Sequence, residues 1–455
     1  MAKVSHLCAT CVYALGHPLD YRSPGEHHLT INAIRQAVQE GCFICSQIWN
    51  VDEQGLVIKR DENKAVDQER HLPAEYIIES VLNCDWKNQL ILFSILDETN
   101  IGEPNYSDFE LIPKRVAESV YGSPWPPLDD RTSSLLSLDQ AYDWLTSCRA
   151  QHPSCNRLSK SGKWLPTRLI DIGSEMDDLW KLRVVAEEGL HTSALYITLS
   201  YRWGTDPSIT LLASNIDEFC HGKRISSLPQ TFQDLITVAR RFSVRYVWID
   251  ALCIIQDSSQ DWASESAAMQ YVYANSICTI AASASSGPEG GLFRSRQPEV
   301  VCPAVVNVAY GDEAPVDCYI WDTKYWPRHF ERSELLTRGW VFQERFLSPR
   351  VLYFGHDQIL WECMTDHKCE GFPGGVPDHE SDKSSYAIPS LEDSEVNRQG
   401  PLFSNTMFRL WTGLAWHYSE CTLTKPTDKL AAFAGIAKLF QEHTGDDDHA
   451  ETASR

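Results

Sequence analysis

Apolar and polar positions change period several times along this chain. Residues 76–82 (YIIESVL) and 88–96 (NQLILFSIL) are short, β-rich apolar runs that predict strands, and residues 103–115 (EPNYSDFELIPKR) continue the pattern. Residues 121–134 are rich in Pro, Ser and Asp and read as a linker. A helix is predicted over 137–152, then strands over 164–172 and 194–204. Next, Phe232, Leu235, Ile236 and Ala239 recur at i, i+3, i+4 and i+7, with Pro229 near the first turn, which predicts a helix. Residues 245–255 (RYVWIDALCII) are almost continuously apolar, as expected of a strand covered on both faces. A helix from Asp261 and a strand over 277–285 complete a β-α-β-α-β series with connections short enough for a parallel sheet.

The fold class expected is therefore α/β. A parallel-sheet core follows an N-terminal α+β region, with a C-terminal hairpin (350–363) and helices behind it. The domain boundaries expected are an N-terminal, Cys-containing α+β region over 1–145 and a core over 146–365. A flexible loop over 366–400, a helical C-terminal extension over 401–445 and a disordered acidic tail over 446–455 follow.

Parallel sheets take ligands at the carboxyl ends of their strands. Here those ends carry Ser200, Tyr201, Arg202, Trp203 and Asp250, so these five are candidate substrate-binding residues. The helix that follows raises a question. At 100° per residue, Trp262, Ser266, Met269 and Tyr273 share a face, and Glu265 falls on it as well. An unpaired buried carboxylate costs several kcal/mol, on the order of 3–5. Either an arginine such as Arg202 or Arg338 pairs with Glu265, or the stripe borders a pocket that needs an acid. Arg338, Trp340, Gln343 and Glu344, on a further helix, are expected in structural or inter-domain contacts, one of the last two being able to line the crevice.

Composition narrows the classes. The chain has 455 residues, 43% hydrophobic and 22% charged, which is globular and long enough for more than one core. A net charge of −22 without a basic run argues against nucleic acid as a partner. No apolar stretch approaches 18 residues, so no membrane span is expected. The first residues, MAKVSHLCATC, lack the apolar region of a signal peptide, and the 15 cysteines are an odd number. An intracellular, cytoplasmic protein with mostly reduced thiols is expected. Two pairs, Cys8-x-x-Cys11 and Cys42-x-x-Cys45, have the spacing of zinc knuckles, with His27 and His28 between them. The second pair also lies on the apolar face of a predicted helix over 31–49, so buried free thiols are the alternative. No G-x-S-x-G, H-E-x-x-H or Walker A pattern is present.

Several of these pieces together resemble the fungal heterokaryon incompatibility (HET) domain. They are YITLSYRWG (196–204), LPQTFQDLITVARRFSVRYVWIDALCIIQD (228–257), DWASESAAMQYVYANSICTIAASAS (261–285), GLF (291–293) and RGWVFQERFLSPRVLYF (338–354). LPTRLIDI (165–172), DKLAAFAGIA (428–437) and the cysteine pairs resemble flanking segments of such proteins. The resemblance implies self/non-self recognition, programmed cell death, and a fold distantly like the Toll/interleukin-1 receptor (TIR) domain, which is flavodoxin-like. In catalytic TIR domains a glutamate a few residues past a Trp serves NAD cleavage. The matching residues here are Trp262, a further substrate-binding candidate, and Glu265, the catalytic candidate. The spacing is Trp-x-x-Glu instead of Trp-x-x-x-Glu, a rotation of about 100°. Two mechanisms follow. One is NAD cleavage with NAD as substrate and no required cofactor. The other is a non-catalytic signalling module acting through protein partners or self-assembly.

Overall fold

The computed structural model describes residues 7–16, 25–26, 28, 31–47, 74–81, 90–97, 105–121, 128–156, 164–191, 194–204, 209–308, 315–323, 325–327, 333–376 and 405–444. Most of the expected loop over 366–400, and all of the expected tail, lie outside these residues. The chain divides into two compact units. One comprises Met1–Asp130, Ser295–Phe330 and Cys369–Pro377, and the other comprises Arg131–Arg294, Glu331–Lys368 and Asp378–Arg455.

The first unit holds a six-stranded sheet among its described residues. Strands β1 (Gly25–Glu26), β2 (Ala74–Val81), β3 (Leu90–Asp97) and β4 (Asn105–Pro113) form a consecutive antiparallel run. β12 (Val316–Asp322) pairs with β4, and β11 (Val305–Val308) closes the other edge. Cys11 lies in helix α1 (Ala9–Gly16) with Cys8 just before it, and Cys42 and Cys45 follow helix α2 (Ile31–Gln39). Where one helix over 31–49 was expected, α2 stops at Glu40. Gly41 takes a left-handed φ of +80°, Cys42 N–H donates to Ala37 O and Gly41 N–H to Val38 O, both at 2.9 Å. This pair of bonds is a Schellman end, which glycine permits. It turns Cys42 and Cys45 off the axis of α2. Helix α3 (Lys114–Tyr121) follows β4.

The second unit is built on a nine-stranded mixed sheet with the spatial order β15-β14-β13-β10-β7-β9-β5-β6-β8. The strands are β5 (Arg168–Asp171), β6 (Leu179–Val184), β7 (Tyr196–Ser200), β8 (Lys223–Arg224), β9 (Tyr246–Trp248), β10 (Cys278–Ala281), β13 (Arg350–Phe354), β14 (Ile359–Cys363) and β15 (His367–Cys369). The parallel part predicted from the middle of the chain is present: β9, β7, β10 and β13 run parallel. The whole sheet is not parallel, because β5 and β6 on one flank and β14 on the other pair antiparallel. Every residue of β7, β10 and β13 is buried, which accounts for their unbroken apolar texture.

Helices α4 (Leu135–Gln151), α5 (Gln230–Arg241), α7 (Ser259–Asn275), α8 (Gly339–Leu347), α9 (Asn405–Ser419) and α10 (Lys429–Thr444) complete this unit, together with a short α6 (Asp250–Cys253). The run 245–255, expected as one strand, is strand only over Tyr246–Trp248 and then turns into α6. Asp250 starts that turn by accepting the N–H of Ala251 at 2.7 Å. Ala251, Leu252 and Cys253 are all buried, so a helical turn covered all round imitates a buried strand in sequence. Among the described residues, no helix is long and apolar enough to cross a membrane.

Helix α8 packs against both α7 and α10. The contact with α10 closes on Gly435, whose N–H meets Gln343 Oε1 at 2.9 Å. A methyl group there would lie 2.5 Å from Gln343 Oε1 and 2.8 Å from Gln270 Cβ. Gly435→Ala is therefore expected to lower stability by about 1–3 kcal/mol despite alanine's better helix propensity. Urea unfolding checks this, and an unchanged or raised midpoint would contradict the packing.

Candidate functional site

Chain order and spatial order differ within the parallel strands. Numbered by their order in the chain, β9-β7-β10-β13 reads 2-1-3-4, so the connections reverse direction between β7 and β10. Strand ends part at such a switch point and leave room for a ligand. Ser200 ends β7 there, in register with Ala281 of β10.

Two carboxyls collect around this point. Glu344, on α8, accepts a hydrogen bond from Ser200 Oγ at 2.5 Å and is buried. Asp250, just past β9, accepts from Trp203 Nε1 at 2.7 Å. Tyr273 of α7, whose hydroxyl donates to Leu199 O at 3.5 Å, stands near Glu344, and Tyr201 near Asp250. Arg338 donates to Tyr201 O at 3.2 Å and adds its positive charge near both acids. Four of the residues expected at the strand ends thus meet here, Ser200, Tyr201, Trp203 and Asp250, and Glu344, expected first in structural contacts, stands with them. Arg338, expected only in structural contacts, joins them. Arg202 points elsewhere and pairs with Glu334 at the surface.

Burial raises the pKa of both acids. For Glu344 burial is the main cause, the Ser200 hydrogen bond opposes it, and the charge of Asp250 adds to it, so the carboxyl is pushed up to about 7. Asp250 is also raised by burial, against hydrogen bonds from Trp203 and Ala251. Glu344 can therefore exchange a proton near neutrality beside a second carboxyl that is also raised, an arrangement acid–base chemistry uses. The folded state binds the Glu344 proton more tightly than the unfolded chain, where the ordinary value is 4.5. Its contribution to stability is then fully present below about pH 4.5 and is lost as pH rises through 7. The loss is on the order of 3 kcal/mol. Urea midpoints of the wild type should fall more steeply between pH 5 and pH 8 than those of Glu344→Gln. Parallel pH curves would show that Glu344 does not hold its proton on folding.

Glu265 lies on the buried face of α7 with Met269, Val272 and Tyr273. Thr167 stands beside its carboxyl, and the charges of Arg168 and Asp261 act on it. Burial raises its pKa. Arg168 itself donates to Cys253 O at 2.6 Å and forms a two-bond ion pair with Asp261. The arginine beside Glu265 is thus Arg168, not the expected Arg202 or Arg338. Trp262 stands at the edge of the helix stripe, 39% exposed, with its ring edge-on to Trp340. Trp340 Nε1 donates to Asp428 at 3.3 Å, and Gln343 is the buried partner of Gly435. Trp340 thus ties α8 to the turn before α10, and Gln343 ties α8 to α10 itself.

Sequence reading did not find Tyr273 or Thr167. Tyr273 looked like one more core aromatic on an amphipathic helix, and its hydroxyl acquires meaning only once α8 brings Glu344 beside it. A weak signal existed for Thr167, a polar residue just before a buried strand.

In the first unit Cys8, Cys11, Cys42 and Cys45 converge, all buried, with their sulfurs within 4.8 Å of one another, an arrangement able to hold a metal ion. Cys8–Cys45, Cys11–Cys45 and Cys11–Cys42 Sγ separations are 3.8, 3.7 and 3.8 Å. His28 Nε2 lies 3.4 Å from Cys8 Sγ and 3.3 Å from Cys45 Sγ.

Compared with known protein families, residues 196–344 match the family described as heterokaryon incompatibility protein (HET). No curated protein and no solved structure matches the chain.

Proposed function

From the premise that this is a heterokaryon incompatibility (HET) domain protein, we propose that its incompatibility-type function is carried out by cleaving the N-glycosidic bond of a nucleotide, NAD first among them, and so drives cell death. The single observation that carries this reading is the placement of two carboxyls, buried Glu344 and half-buried Asp250, at the β7/β10 switch point. The 2-1-3-4 strand order supports it, being the order of flavodoxin-like sheets, to which TIR domains belong.

The chemistry fits two carboxyls. Nicotinamide leaves a pyridinium nucleotide as a neutral molecule, so the leaving group needs no acid. The ribose carbon becomes oxocarbenium-like. Asp250, held by Trp203 and the Ala251 amide, carries the negative charge that stabilises this cation. Glu344, with its proton near balance at pH 7, takes the proton of the attacking water. The ring of Trp203 offers a stacking face for a base. Arg202 exchanges Glu334 for a phosphate. In this reading Glu265 braces α7 against the start of β5 beside Thr167, and Trp262 packs the first turn of the same helix edge-on against Trp340. The four-cysteine cluster holds structural zinc, since sulfurs about 2.3 Å from zinc at tetrahedral corners lie about 3.8 Å apart.

The test is nicotinamide release from NAD by the purified full chain, followed by chromatography, with Glu344→Gln, Asp250→Asn and Glu265→Gln alongside. Release lost in the first two and kept in the third supports the reading. Release lost with Glu265→Gln alone moves the chemistry to Glu265. A second reading, a non-catalytic module that assembles with itself or protein partners, is favoured by Phe408 and Trp416 on α9 and Leu430 on α10, each more than half exposed. No release by the wild type, with concentration-dependent assembly lost on Phe408→Ser and Trp416→Ser, would favour that module.

A further inference from the structure

A second set of metal-type donors lies in the second unit, away from the two carboxyls. Cys148 is in the last turn of α4, His152 caps that helix, Cys155 sits in the 3-10 turn Ser154–Asn156, and Cys363 ends β14. Three sulfurs and a ring nitrogen come within 4.8 Å of one another. All three cysteines are buried, at 1% exposure or less. We propose that Cys148, His152, Cys155 and Cys363 form a structural zinc site that staples the end of α4 to the β13–β14 hairpin. This site is independent of the nucleotide-cleavage reading.

Four observations separate this from a chance cluster of core thiols. The first is the donor set, three buried Cys and one half-buried His, which is the ligand set of a closed structural zinc site. The second is the surroundings of His152. Its Nδ1 faces Cys363 Sγ at 3.5 Å, while its Nε2 faces Asp366 Oδ2 at 3.5 Å. A carboxylate on the far nitrogen is the partner that fixes the tautomer of a metal-bound histidine.

The third is the set of N–H donors aimed at sulfur. The amides of Thr365 and Asp366 point at Cys363 Sγ at 3.5 and 3.2 Å, and Arg350 Nε points at Cys148 Sγ at 3.1 Å. Neutral thiols in an apolar core have little use for such donors, whereas metal-bound thiolates accept them. The fourth is charge. Zinc with three thiolates and a neutral imidazole carries −1, and the guanidinium of Arg350, 3% exposed, supplies +1 beside it. Asp366 has its own counterion, since Lys368 Nζ is 2.9 Å away. The group is therefore neutral where it is driest, which a buried charge needs.

Because the ligands come from an early helix and a late hairpin, metal binding contributes directly to the folding of this unit. The experiment uses the full chain purified with zinc and without reductant-stripping steps. Native protein is alkylated with iodoacetamide, with and without a zinc chelator, and labelled cysteines are read by peptide mass spectrometry. Cys148, Cys155 and Cys363 should label together, and at least tenfold faster, only when the chelator is present. Cys253 and Cys278, buried but outside any cluster, should stay unlabelled in both arms. Zinc content should fall by one ion per chain in soluble Cys148→Ser/Cys363→Ser, while Cys8→Ser/Cys11→Ser leaves chelator-dependent protection of Cys148 unchanged. Labelling that ignores the chelator, an unchanged zinc content in the double variant, or a disulfide among the three cysteines would each overturn the proposal.

Discussion

Glu344→Gln is expected to lower nicotinamide release by roughly 10²–10⁴-fold, the range for loss of a positioned general base. The substitution keeps size and keeps an acceptor for Ser200 Oγ, so the fold around β7 should survive. What it removes is a proton site held near pH 7. The expected signature is therefore in the pH profile as well as the rate. Wild-type kcat/KM should rise with pH through about 7, as Glu344 ionises and becomes able to accept the proton of water. The residual rate of the variant should lose that limb. Asp250→Asn should lower the rate across the whole profile, since its role is charge. A Glu344→Gln variant with wild-type rate and profile would remove this residue from the chemistry. The same variant, stable but inactive in triggering cell death, would connect the reaction to the response.

The second large effect belongs to the first unit. Arg296 and Glu370 form an ion pair with side chains 0% and 1% exposed. Arg296 Nη2 donates to Glu370 Oε1 at 3.0 Å, a second bond joins the other two ends, and Arg296 Nε donates to Asp129 O at 2.8 Å. Glu370→Ala leaves a guanidinium buried without its countercharge and should cost about 3–5 kcal/mol, measured by urea unfolding. The double variant Arg296→Met/Glu370→Leu should recover much of the loss, because an apolar pair of similar volume avoids the desolvation of two charges. A loss below about 1 kcal/mol for Glu370→Ala would mean that water reaches Arg296, against its burial.

Both effects rest on residues far apart in the chain, and that separation divides what was legible in the sequence from what was not. Local period and capping chemistry determined most elements. The parallel strands, the amphipathic helix from Gln230, the 350–363 hairpin and the C-terminal helices are all set by short-range patterns of burial. The resemblance over 196–354 was legible for the same reason. The strand-end residues Ser200, Tyr201, Trp203 and Asp250 could be named because parallel β-α units always present that edge.

Tertiary structure alone decided which acid stands there. Glu265 drew attention because one helix shows it on an apolar face, a property visible locally. Glu344 looked like an ordinary helix carboxylate. Only the packing of α8 beside the end of β7 takes it out of water, and desolvation, not sequence context, is what moves its proton. The cysteines divide in the same way. The two Cys-x-x-Cys pairs announce themselves by spacing, whereas Cys148, His152 and Cys155 wait for Cys363, some 200 residues later, to complete their cluster. Short spacing is written in the chain; the dielectric around a carboxyl and the fourth ligand of a metal exist only once distant segments have packed together.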